Sequence, residues 1–270
     1  MKATVAFGKQ ATKTLTVTNT GGAAATLKLK EHAGGTTIAA QGAALRRVKG
    51  ADWHLSMTKA PAAARAAAAS PPAAPAAGDA WQAAPDLPVP TQDNSVDSYD
   101  GKIYSGFGFN GTSDTNELYS YDPRTGAWTQ RASASDTREA PAHGFVNGKL
   151  YVVGGWNANG VPDRTLEVYD PSTDTWTTGT SAPVAYAGSS SAVLDDQLYV
   201  VGGCLADSCG EVRAGVYDPA DDSWSQIADY PEPAAFTSCA GIQGKLYCAG
   251  GITDHGDIKS TYVYDPAADS

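Results

Sequence analysis

From residue 95 onward, apolar residues come in short runs separated by Gly, Asn and Asp. Lys149-Leu150-Tyr151-Val152-Val153 follows the turn Asn147-Gly148 and ends in Gly154-Gly155. Leu166-Glu167-Val168-Tyr169-Asp170-Pro171 forms a second run, and Asp174-Thr175-Trp176 opens a third. Runs this short, bounded by turn residues and carrying no 3.6-residue period, predict strands. The turns Asp100-Gly101, Asn147-Gly148, Asp195-Asp196 and Gln243-Gly244 predict hairpins, because Asn-Gly and Asp-Gly suit the positive φ values of two-residue loops.

The pattern then repeats. Tyr104, Tyr151, Tyr199 and Tyr247 follow the hairpin turns, and Tyr121, Tyr169, Tyr217 and Tyr264 each precede Asp-Pro, both series stepping by 47 or 48 residues. Trp128, Trp176 and Trp224 come seven residues after the Tyr-Asp-Pro tyrosines, and a fourth would fall at 271. Four short strands in each repeat of this length define a blade of a β-propeller. The predicted blades span about 95–130, 142–178, 190–226 and 239–270, the last without its fourth strand.

An apolar strand, a Gly-Gly pair, a spaced Tyr and a spaced Trp, in that order, resemble the kelch repeat. The resemblance covers residues 79–270 and departs from the pattern at Phe107-Gly108, where the first Gly-Gly should stand. It implies an all-β propeller whose glycines let strand ends pass close to neighbours and whose Tyr and Trp rings pack between blades. Kelch rings usually hold six or seven blades. Two arrangements follow: Trp81 completes a four-bladed ring as the fourth strand of the last blade, or the chain is part of a longer ring, which the sequence favours.

Ahead of the repeats, Thr14-Leu15-Thr16-Val17-Thr18 and Leu27/Leu29 alternate around Asn19-Thr20-Gly21-Gly22, a hairpin pattern. Residues 1–35 resemble the last strands of an immunoglobulin- or fibronectin-like domain. Residues 36–78 are irregular and then almost entirely Ala and Pro, the composition of an extended linker. The whole arrangement resembles the C-terminal region of large secreted actinobacterial proteins, subtilisin-like peptidases among them, although no peptidase motif is present.

Charge divides the chain in the same place. Residues 1–80 carry ten Lys/Arg against three Asp/Glu, residues 81–270 nine against 26, for −10 overall. An acidic propeller repels phosphate backbones, which argues against nucleic acid as a partner. No apolar stretch is long enough for a membrane span.

The four cysteines fall into two pairs. Cys239 and Cys248 flank the Gln243-Gly244 turn symmetrically, at a non-hydrogen-bonded position where side chains lie closest. Cys204 and Cys209 share one loop. Disulfides fit both pairs and imply an oxidising compartment, hence a secreted protein; free buried thiols and a metal site are the alternatives.

Few motifs carry chemistry. Gly106-Phe107-Gly108-Phe109-Asn110-Gly111 matches G-x-G-x-x-G, but no helix follows to receive a pyrophosphate. The histidines are scattered. Asp195-Asp196 and Asp221-Asp222 stand at turns, where Asp suits the backbone. No cofactor is expected. Function is expected on the loops that break the repeat, at Phe109, Arg138, Trp156, Arg164, Tyr186, Phe236 and His255. The expected role is non-catalytic binding of a protein or carbohydrate. The alternative is an enzyme like galactose oxidase or a sugar epimerase. The former's copper chemistry needs two tyrosines, two histidines and a cysteine crosslinked to one tyrosine.

Overall fold

A computed structural model describes residues 82–270, so the expected sandwich strands and linker lie outside the described residues. The described chain folds into four antiparallel sheets and contains no helix. Blade one is β1 (Ser95–Tyr99), β2 (Lys102–Gly106), β3 (Leu118–Asp122) and β4 (Ala127–Gln130). Blade two is β5 (Ala142–Val146), β6 (Lys149–Val153), β7 (Leu166–Asp170) and β8 (Thr175–Gly179). Blade three is β9 (Ser190–Leu194), β10 (Gln197–Val201), β11 (Ala214–Asp218) and β12 (Ser223–Gln226). Blade four has three strands: β13 (Ser238–Ile242), β14 (Lys245–Thr253) and β15 (Gly256–Tyr264). In every sheet spatial order equals chain order, as consecutive hairpins require.

The predicted turns form where expected. Asn147 and Gly148 have φ of 48° and 84°, and Asp195 and Asp196 have 49° and 62°. Both central residues are left-handed, the geometry whose twist matches the flanking strands. The acid pair at 195–196 thus serves its backbone.

The first strands β1, β5, β9 and β13 neighbour one another in series and form the hub of a β-propeller. Between blades, one sheet's face packs on the next. Tyr104, Phe107 and Leu118 of blade one meet Leu150, Val152 and Tyr169 of blade two. Tyr151, Val153 and Leu166 meet Leu198, Val200 and Tyr217. Tyr199, Val201 and Ala214 meet Leu246 and Cys248. Strands β6 and β10 are covered on both faces and read as apolar runs, whereas β14 alternates between buried and exposed residues.

Two glycines show why the Gly-Gly pair recurs. A Cβ on Gly154 would run into the Tyr186 carbonyl oxygen, and one on Gly202 into that of Ala234. Phe107 holds the corresponding place in blade one at φ 63°, its ring edge-on to Trp176 with centroids 5.8 Å apart.

The Tyr-Asp-Pro tyrosines of blades two, three and four each close a staple to the preceding blade. The Tyr169 hydroxyl donates to Asp174 Oδ1 (2.7 Å), and the same oxygen accepts the Ala132 N–H (2.9 Å). The Trp176 indole donates to the Ala132 carbonyl (2.7 Å), so blade two takes both groups of one residue of the blade-one lead-out. Tyr217, Asp222 and Trp224 treat Thr180 the same way. Tyr264 and Asp269 take only the Ala228 N–H. The Asp174, Asp222 and Asp269 carboxyls are held below the usual carboxylate range, first by these backbone N–H donors and then by the tyrosine hydroxyls.

Candidate functional site

The segment leading into each first strand carries a left-handed residue: Asp93, Ala140, Gly188 and Phe236, with φ between 50° and 59°. Their main chains form a relay. The Ala140 N–H donates to Asp93 O (2.9 Å), Gly188 N–H to Ala140 O (3.0 Å) and Phe236 N–H to Gly188 O (2.7 Å). On the same side, isolated β-bridges tie the first three lead-ins to the loops between second and third strands, Gln92 to Phe109, Glu139 to Trp156 and Ala187 to Cys204, and the fourth to the end of β14, Ala235 to Ile252. The loop face is therefore pinned by backbone hydrogen bonds, leaving side chains free to vary.

One aromatic pair stands out on this face. The Trp156 ring lies nearly parallel to that of Phe236, with centroids 5.9 Å apart and planes at 22°. Trp156 belongs to the blade-two loop, and its main chain exchanges two hydrogen bonds with Glu139 (2.9 and 2.8 Å). Phe236 leads into blade four and is 41% exposed. Its ring covers Gly188, where any Cβ would collide with it. The pair thus joins blades two and four across the blade-three lead-in, as an apolar shelf whose Phe236 side is open to solvent and whose Trp156 side is half-buried. Beside Trp156, the loop folds around Asn157, whose Oδ1 accepts the N–H groups of Asn159 and Val161, and Val161 is exposed.

Of the seven residues expected to bind, the structure brings Trp156 and Phe236 together. Arg164 and His255 are exposed on the loops of blades two and four. Three are withdrawn from the surface, which corrects their expected placement. Phe109 is buried beside its bridges to Gln92 and Asp114. Tyr186 packs in the core between blades two and three, and burial raises the pKa of its hydroxyl.

Arg138 has no exposed surface at all. Its Nη2 and Nε donate to Glu167 Oε2 at 2.7 and 3.3 Å, and its Nη1 donates to the Gly154 and Thr165 carbonyls. Glu167, also buried, accepts the Ser135 N–H (2.7 Å). Because the Arg138 main chain is hydrogen-bonded to Gly108 and Thr115 of blade one, a guanidinium satisfied in this way clamps blade one to blade two. One repeat later Tyr186 and Gly215 hold the corresponding positions, a large ring against an absent side chain.

Both expected disulfides are present, Cys204–Cys209 within the blade-three loop and Cys239–Cys248 across the hairpin at the predicted register. The blade-three loop is further tied to the β14–β15 tip, where Asp254 Oδ1 accepts the Cys209 N–H (3.0 Å). With every cysteine in a disulfide, none is available for a thioether to tyrosine. Among the described residues no group of His, Cys, Asp and Glu is arranged to hold a metal ion, and no helix is long and apolar enough to cross a membrane.

The shelf's Phe236 and Gly188 escaped notice as a pair because the relay positions share a conformation and no residue type. The staple was legible in principle, since an Asp follows Tyr169, Tyr217 and Tyr264 by five residues.

Comparison with known proteins agrees with this geometry. Residues 138–183, 185–229 and 233–270 match the Kelch motif. Over 81 residues, 28% of this chain, the sequence is 36% identical to the Kelch repeat and BTB domain-containing protein 1 of cowpox virus (strain GRI-90 / Grishak). The match to the Kelch repeat and BTB domain-containing protein A55 of vaccinia virus (strain Western Reserve) has the same extent. The aligned segment spans 14% of each of these relatives. The described residues form a β-propeller, and the Kelch motif matches fall on its second, third and fourth blades.

Proposed function

We propose that this chain is a non-catalytic binding module whose partner is a protein docking on the loop face, with the Trp156–Phe236 shelf at the centre of contact. The observation that carries the reading is an aromatic pair, Phe236 exposed and Trp156 half-buried, on a main chain pinned by hydrogen bonds. Preordered aromatic side chains add contact area at small entropic cost, and such residues dominate interface energetics. Arg164, Val161 and His255 supply a mixed rim. The kelch repeats support the binding role, and the enclosed cysteines count against the galactose-oxidase alternative.

The test is a screen of the purified chain on arrays of folded proteins and of glycans, repeated with Phe236→Ala and Trp156→Ala. A protein ligand whose affinity falls about 30-fold or more in either variant, a loss typical of a hot-spot residue, supports the reading. Protein binding that survives both substitutions removes it. A glycan ligand lost in both variants selects carbohydrate binding instead, a second reading favoured by the open face of the Phe236 ring.

We also propose that the protein is exported. Disulfides persist in oxidising compartments, and here one lies in a loop and one in a hairpin. Thiol alkylation of the protein in its native host checks this: rapid labelling of Cys204 and Cys209 before any reductant is added contradicts export. Attachment to a peptidase rests on resemblance alone, and the reading frame of the parent gene decides it.

A further inference from the structure

The Phe236 end of the shelf lies among acids. Asp207, Asp229 and Asp254 are exposed on the loops and lead-in of blades three and four, and Glu211 and Glu232 are partly so. The basic groups on the same segments are His255 and Arg213, whose Nε lies 3.8 Å from Glu211 Oε2. Arg164 stands at the other end, in the blade-two loop that carries Trp156.

Glu232 differs from the other acids. It precedes Phe236 by four residues in one lead-in, and its Oε1 is enclosed with no hydrogen-bond partner among the described residues. The hydroxyl of Tyr230, a residue 7% exposed, is enclosed and unpartnered in the same sense. Both oxygens can accept, so the group that completes them is a donor, and a cation suits the carboxylate. Pro231 and Pro233 stiffen the main chain on either side of Glu232, and its partly open carboxyl can be reached from the loop face.

The blade-two lead-in indicates which cation. Asp136 holds the place of Glu232 there, and the Arg138 guanidinium lies 3.9 Å from it. In blade four Ala234 holds the place of Arg138, since Glu211 bridges Ala234 as Thr115 bridges Arg138. The acid recurs and its arginine does not.

We propose that the protein docking on the shelf does so through a basic segment, with an arginine guanidinium at Glu232 and the neighbouring residues across the open Phe236 ring. This rests on the shelf being the docking site. A planar guanidinium offers several donors to the carboxyl, and its apolar stem adds cover beside the ring. The surrounding acids favour encounter with such a segment and disfavour acidic partners.

The test is calorimetric titration of residues 1–270, disulfides intact, with a short synthetic peptide in which arginines alternate with glycine and leucine. Saturable one-to-one binding is expected, weakening as salt rises. Replacing the arginines with citrulline or glutamate should weaken it ~10-fold or more, as should Glu232→Gln. The melting curve of Glu232→Gln should not fall, because no internal partner is lost. Asp221→Asn removes the same charge from an exposed turn at the opposite end of blade three and should leave binding unchanged. The inference is overturned if the arginine peptide does not bind, if citrulline or glutamate serves as well, if Glu232→Gln has no effect, or if Asp221→Asn weakens binding equally. A protein from the array screen that depends on Trp156 and Phe236 but not on Glu232 or salt leaves the docking site standing and removes the basic segment. Binding that survives Trp156→Ala and Phe236→Ala removes the docking site itself.

Discussion

Removing the Arg138 side chain tests the clamp between blades one and two. Arg138→Ala deletes both contacts to Glu167 Oε2 and the donors to the Gly154 and Thr165 carbonyls. Glu167 keeps the Ser135 N–H and stays buried. Breaking a buried pair by removing one partner typically costs about 3–5 kcal/mol, because the remaining charge is uncompensated. The larger half of that range applies here, since two main-chain acceptors lose their donor as well. Glu167→Ala should be similarly severe, for it strands the guanidinium. The double variant should cost less than the sum by about 2–3 kcal/mol, the coupling expected of a pair in direct contact. Chain-internal precedent supplies a stricter version: Arg138→Tyr with Glu167→Gly copies Tyr186 and Gly215 from the next repeat. Equilibrium unfolding in urea, followed by tryptophan fluorescence, gives each value from the midpoint at unchanged slope. A cost below about 1 kcal/mol for Arg138→Ala, or strictly additive single changes, would refute the clamp.

Other predictions follow from the staples and the glycines. Tyr217→Phe removes the donor to Asp222 (2.6 Å) and should cost about 1 kcal/mol in the same urea assay. The folded-state pKa values of Asp174, Asp222 and Asp269 are depressed, so their contribution is complete above the unfolded carboxyl pKa of about 4 and is lost as pH falls through the lower folded values. Melting temperature measured at successively lower pH below that point should therefore drop, and less so when all three are Asn. Gly202→Ala and Gly126→Ala separate space from conformation. Both glycines have positive φ, but a Cβ at 126 meets nothing within 4 Å. Gly126→Ala should cost about 1–2 kcal/mol and Gly202→Ala clearly more, by thermal melts.

The blades were legible because every repeat states the same physical requirement: turn residues that tolerate positive φ, apolar strands buried on both faces, and glycines where a carbonyl passes. The Cys239–Cys248 register followed from the symmetry of one turn. The loop face was harder. Arg138 looks like a surface residue in the sequence because its partner Glu167 lies 29 residues away on β7, and only the fold puts the two together. Trp156 and Phe236, 80 residues apart, meet only because Gly188 clears the space between their blades. Identity-based reading finds repeated residues, and these contacts rest on residues that differ from repeat to repeat.

The lead-in relay separates inheritance of shape from inheritance of chemistry. Asp93, Ala140, Gly188 and Phe236 share one backbone conformation and one main-chain bonding pattern, yet carry an acid, a methyl group, a hydrogen and a phenyl ring. Because peptide groups alone bear the mechanical task, residue type at these positions varies from blade to blade, with Gly188 held to glycine by the Phe236 ring that covers it. A duplicated blade therefore arrives with a vacant display position already aimed at the loop face, and a propeller of this kind acquires a new partner by changing single residues there.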